Sequence, residues 1–134
     1  MAGAKHSQEL IAWQLADQLR VEVFEFTSRP GFVRDLKLHS QTEDAVNSVC
    51  RNISEGFGGS HADFARFLRI SRRSLNEVQD AFRAAELKSY VSPEDLAASR
   101  QLMRRLYPAL SRFIAYLDRT PDPPKTKRSR NSSP

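Results

Sequence analysis

Four arginines crowd the segment F64-A-R-F-L-R-I-S-R-R73. Arg66, Arg69 and Arg73 stand at i, i+3 and i+7, with Arg72 beside them, so on a helix three guanidinium groups share one stripe. A row of fixed cations suits phosphate, because each neutralised phosphate releases counterions and adds salt-dependent affinity. The same residues also serve as a solvated face partly paired with Asp63, Glu77 and Asp80. A second cluster lies in S48-V-C-R-N-I-S-E-G-F-G-G59, where Asn52 and Glu55 precede a run of glycines. Glu55 in a last helical turn faces the negative end of the helix dipole and wants a partner. Asn52 and Glu55 therefore read either as a polar ligand site or as a buried network that caps helix ends and fixes the loop. For Glu55 the candidate partners are backbone amides at the start of the next helix, or an arginine.

Groups suited to metal or nucleophilic chemistry are sparse. His39 and Glu43 are four apart and can share a helix face, but two ligands fall short of a metal site. A di-iron bundle needs Glu-x-x-His pairs, and no glutamate here is followed by histidine at that spacing. Cys50 is the sole cysteine, which excludes an internal disulfide and a cysteine-rich zinc site, and it has no evident histidine partner. The segment R34-D-L-K-L-H39 resembles the Arg-x4-His signature of the small HEPN-type ribonucleases. That resemblance implies His39 as general acid or base and Arg34 as the stabiliser of phosphorane charge. It falls in the expected loop ahead of a second helix. The reading is non-enzymatic, with no catalytic residue, metal or cofactor.

Length allows one domain with a core that four helices can enclose. Lysine and arginine number 21 against 16 acids, for a net charge of +5. The last fifteen residues, T-P-D-P-P-K-T-K-R-S-R-N-S-S-P, hold four of those bases against Asp122. Residues 1–119 are therefore expected to form the bundle, and 120–134 a basic Pro/Ser-rich disordered tail that buries too little to fold. Its Lys125, Lys127, Arg128 and Arg130 could touch nucleic acid or simply solubilise the chain. No apolar run approaches the roughly 20 residues of a bilayer span, and MAGAKHSQEL lacks an apolar signal region. A cytoplasmic, non-membrane protein is expected.

Helical spacing occurs four times, and period-2 alternation is not sustained anywhere. The first helix is predicted from about Ser7 to Ser28, stopped by Arg29-Pro30-Gly31. Its apolar positions, Leu10, Ile11, Trp13, Leu15, Leu19, Val23, Phe24 and Phe26, cover more than one stripe. The surplus, Trp13 in particular, is assigned to an oligomer interface. A second helix starts between Asp35 and Ser40 and turns Thr42, Ala45, Val46, Val49, Ile53 and Phe57 inward. A third begins at Ser60, where S60-H-A-D63 resembles a capping box, and carries the heptad seam Phe64, Leu68, Ser71, Leu75, Val78, Phe82 and Ala85. A fourth opens with S92-P-E-D95 and repeats the seam through Leu96, Ser99, Met103, Leu106, Leu110, Phe113 and Leu117. Pro108 inside it predicts a kink near Arg104. Short connections between long helices give an all-α, antiparallel up-down-up-down four-helix bundle.

L10-I-A-W13, the Asn52–Gly56 stretch and F64-A-R-F-L-R-I-S-R-R-S-L-N-E77 together resemble the four-helix-bundle family encoded by intervening sequences of bacterial 23S rRNA genes. The likeness spans residues 9 to 117, and Asn52, Ile53, Glu55, Gly56, Phe64, Phe67, Leu68, Ser74, Leu75 and Glu77 fall on its motif. The resemblance implies a ring-shaped homopentamer. It also relates the chain to accessory subunits of diversity-generating retroelements, which bind a reverse transcriptase and its RNA. Departures occur at Glu43-Asp44 and Gly59, where basic residues are common, at Arg73 in place of glycine, and at Cys50 in place of proline. The functional expectation is an oligomeric RNA-binding or assembly module. The alternative is a protein adaptor that binds no nucleic acid.

Overall fold

The computed structural model describes residues 4–7, 10–122 and 124. Five helices are present, and no strand occurs among the described residues: α1 (Ile11–Thr27), α2 (Pro30–Arg34), α3 (Leu36–Gly56), α4 (His61–Leu87) and α5 (Pro93–Arg119). The expected count of four is corrected to five. The added element is α2, which Pro30 opens at the first helical position, where its missing N–H is no loss. Five residues are too few to show a helical period, so α2 leaves no pattern in the sequence.

The four long helices pack in a cycle, α1 on α3, α3 on α4, α4 on α5 and α5 back on α1. The seam of α4 is buried at all seven expected positions, from Phe64 to Ala85. On α3, Thr42, Ala45, Val46, Val49 and Ile53 are buried, while Phe57 is half-exposed as its C-cap. The seam of α5 shifts one residue near its end: Ile114 is buried, and Phe113 is half-buried with its ring 5.0 Å from Phe64. A helix of 3.6 residues per turn drifts against a strict heptad, and over 27 residues the drift moves the seam. The helix continues through Pro108.

The ends are fixed by capping. Ser60 Oγ accepts from the Asp63 N–H at 3.1 Å, with no return bond, so its capping box is half made. At Ser92 the box is reciprocal: Asp95 N–H donates to Ser92 Oγ, and Ser92 N–H to Asp95. After α4 the chain turns in a Schellman geometry. Tyr90 N–H reaches Ala85 O and Ser89 N–H reaches Glu86 O, with Ser89 held at φ 60°. Asp35, between α2 and α3, takes Leu38 N–H, Lys88 Nζ at 2.7 Å and the Tyr90 hydroxyl at 2.9 Å, tying one end of the bundle together. At the other end Asp122 accepts from the backbone N–H of His61 at 2.7 Å, anchoring the segment after α5 to the positive end of α4.

Candidate nucleic-acid interface

The buried stripe of α4 turns Arg66, Arg69 and Arg73 outward, because they lie between its core positions. Of the partners the spacing proposes, Asp63 is engaged, while Arg69 and Arg72 turn to α5 instead. Arg66 pairs with Asp63 at 3.9 Å and lies over the Phe67 ring, 4.5 Å from its centroid. Arg69 pairs with Asp118 across the α4–α5 seam, and Arg72 donates to Ser111 Oγ at 3.1 Å on the same helix. The Arg73 side chain has no partner among the described residues, and neither do Glu77 and Asp80. Arg72, half-buried, belongs to the helix contact rather than the open stripe. Lys125, Lys127, Arg128 and Arg130 lie outside the described residues.

Asn52 and Glu55, three residues apart on α3, have different surroundings. Asn52 is buried on the α3–α4 seam, where its amide donates to Ser48 O at 2.8 Å and to Ser48 Oγ at 3.0 Å. Ser48 Oγ lies 2.8 Å from Ser74 Oγ, so two family-motif residues meet through Ser48 inside a helix interface. Glu55 is exposed, and its side chain has no partner among the described residues. Glu77 lines a groove of about 520 Å3 between α3 and α4, together with Asp44 and Asp80. At Gly56 the first turns of α4 leave no room for a side chain. A Cβ there would stand 2.8 Å from Phe64 Cδ1 and from Phe67 Cβ. Gly58 supplies the one left-handed angle of the turn, φ 87°.

The remaining candidates are dispersed. Arg34 ends α2, and His39 sits in the first turn of α3 rather than in a loop, its Nε2 3.6 Å from Glu43. Glu43 itself accepts from Thr27 Oγ1 at 2.7 Å. No group of three His, Cys, Asp or Glu side chains suited to a metal ion occurs among the described residues. Burial pushes the Cys50 thiol up to about 11, which suppresses the thiolate that nucleophilic chemistry needs. Hydrogen bonds from Lys88, Leu38 and Tyr90 hold Asp35 down at about 2. Those from Arg29 and Ser92 do the same for Asp95. Trp13 is half-buried against its own core, and the exposed apolar residues of α1 are Ile11, Val21 and Phe24. No helix among the described residues is long and apolar enough to cross a membrane.

One charged feature escaped the sequence reading. Between Asp95 and Asp118, α5 carries Arg100, Arg104, Arg105 and Arg112 and no acid. Arg100 forms a two-pronged pair with Glu86, at 2.7 and 3.0 Å. Arg104, Arg105 and Arg112 are exposed, and their side chains have no partner among the described residues. The acid-free stretch was the available signal, masked by the heptad seam running through it.

Fold and surface together define an all-α helical bundle with arginine side chains facing outward from α4 and α5. The chain belongs to the 23S rRNA-intervening sequence protein family, whose sequence model matches residues 8–112. A comparison with curated proteins returned no match.

Proposed function

We propose that this protein is a non-enzymatic, cytoplasmic assembly module that binds RNA through arginine side chains of α4, with the basic tail as a second contact. In this reading the four long helices form an antiparallel up-down-up-down bundle, to which α2 is an added turn. The bundle self-associates, into a homopentamer as the family resemblance implies. The observation that carries the RNA reading is the outward stripe Arg66–Arg69–Arg73 in a chain whose family is named for an rRNA intervening sequence. Releasing Arg66 from Asp63 and Arg69 from Asp118 costs little, because exposed ion pairs are worth about 0–1 kcal/mol. Phosphate can therefore compete for both groups. The surface lacks a base-reading motif, so affinity is expected to depend on salt more than on sequence. The related retroelement accessory proteins make an RNA held together with a reverse transcriptase one candidate cargo.

The test is a salt titration of affinity for a short structured RNA. Each lost phosphate contact lowers the slope of log K against log salt by about 0.7 for a single strand. Replacing Arg66, Arg69 and Arg73 by alanine should thus flatten the slope by about 2. An unchanged slope removes α4 from the interface. The adaptor reading is favoured by one observation, that Arg69 and Arg72 are already engaged by α5. It calls for a protein partner whose affinity is indifferent to salt.

A further inference from the structure

Three depressions along the α1–α5 seam join end to end. The first, of about 650 Å3, is lined by Leu10, Ile11, Ala109, Phe113 and Tyr116, with Arg112 among them. Ile11, Ala109 and Arg112 also line the second, of about 270 Å3 beside Pro108. Arg105 is shared between the second and the third, which holds about 550 Å3 beside Val21 and Leu102. The groove therefore follows α5 from Tyr116 back to Ala98, a distance of about 27 Å at 1.5 Å per residue. Its apolar floor is open, with Ile11 62% and Val21 63% exposed.

The two walls differ in charge. On α5, Arg104, Arg105 and Arg112 line the groove, and their side chains have no partner among the described residues. On α1, the carboxylates that line it, Asp17 and Glu22, are already engaged by Arg20 and Ser99. An occupant must therefore bring apolar groups for the floor and anions for one edge. RNA answers the arginines alone, because a base needs an open aromatic face on which to stack. Here the Phe113 ring packs edge-on to Phe64 at 5.0 Å, Tyr116 lies 6.2 Å from the His61 ring, and the most exposed floor residues are aliphatic. A helix brings both kinds of group. Residues at i, i+3, i+4 and i+7 give an apolar stripe, and acids can occupy one flank of it.

We propose that the α1–α5 groove docks an amphipathic helix of another protein, apolar along one stripe and acidic along the flank that meets Arg104, Arg105 and Arg112. A helix of roughly 18 residues matches the length of the groove. Arginine suits the edge, because its planar fork takes a carboxylate in two parallel hydrogen bonds. The groove is built from α1, its cap Leu10 and α5, so the docked helix leaves the α4 arginines free. The inference goes beyond the RNA reading and does not rest on it.

The test uses two synthetic helical peptides of about 18 residues. They share one leucine stripe, and one carries glutamate along its flank where the other carries lysine. Fluorescence anisotropy measures their binding to the full chain. The wild type should bind the glutamate peptide at least about tenfold more tightly than the lysine peptide. Arg105→Glu with Arg112→Glu should invert that preference, a reversal that misfolding cannot imitate. Ile11→Gln should weaken the glutamate peptide, whereas Phe24→Gln, at an exposed α1 residue outside the groove, should not. Failure of both peptides to bind, equal affinity for the two, or a preference that survives the reversed arginines overturns the proposal. So does the case in which no peptide binds and the reversed pair instead lowers RNA affinity or changes the light-scattering mass of the protein alone. The groove then belongs to RNA or to a second copy.

Discussion

Replacing Gly56 by alanine sets two opposed effects against each other. Gly56 is the last residue of α3, and in a helix alanine is favoured over glycine by about 0.8–1 kcal/mol. Only part of that gain is available at a helix end, where the backbone is less confined. Against it stands the close approach of α4. The new Cβ would sit 2.8 Å from Phe64 Cδ1, 2.8 Å from Phe67 Cβ and 3.2 Å from Phe64 Cα. The ring atom can swing away, but Phe67 Cβ and Phe64 Cα are fixed to the backbone, so α3 and α4 must separate at this point. Overpacking of this kind costs about 1–3 kcal/mol. The net expectation is a loss of about 1–2 kcal/mol, a fall in Tm of roughly 4–8 °C at this size. Thermal and urea unfolding measure it, at fixed protomer concentration because assembly shifts the transition. Gly59→Ala is the internal control, since its Cβ would meet nothing nearer than Gly56 O at 3.4 Å. A Gly56→Ala protein as stable as wild type would refute the argument that close helix approach explains the glycine of the motif.

Three further outcomes follow from the geometry. Ser89 is a non-glycine residue at φ 60°, so Ser89→Gly should raise stability by about 1 kcal/mol, read as a higher urea midpoint. Asp35, with an ordinary value of 3.8, is held at about 2, so its contribution is present above pH 3.8 and is lost as pH falls through 2. Acid unfolding should weaken the fold across that window, and Asp35→Asn should reduce the slope there. Cys50, buried and with its thiol pushed up to about 11, should resist maleimide at neutral pH until the protein is unfolded.

The seams of α3 and α4 were legible because burial of a helix face imposes its own period on the sequence, and Leu68, Leu75 and Phe82 carry that period without interruption. Glycine and proline punctuation likewise located the breaks at Gly56–Gly59 and Arg29–Gly31. What escaped was either too short or too distant. Helix α2 has five residues, fewer than two turns, and the move from Phe113 to Ile114 depends on accumulated drift rather than on residue type. The partners of the arginines are longer-range still. Spacing alone nominates Asp63, Glu77 and Asp80, all on the same helix, whereas Arg69 and Arg72 reach Asp118 and Ser111, roughly forty to fifty residues away and brought near only by the α4–α5 packing. For Asn52 the sequence leaves open a ligand site or a buried network capping helix ends, and the structure shows it buried and hydrogen-bonded. Its bond to Ser48, and Ser48's to Ser74, join α3 to α4.

The most direct test of the central claim is the light-scattering mass of the purified protein, alone and with a short structured RNA, at low and moderate salt. The account predicts a multi-protomer particle that gains the mass of RNA at low salt, releases it as salt rises, and gains less of it once Arg66, Arg69 and Arg73 are alanine. A particle that takes up no RNA at any salt, or takes it up equally well without those arginines, would contradict it.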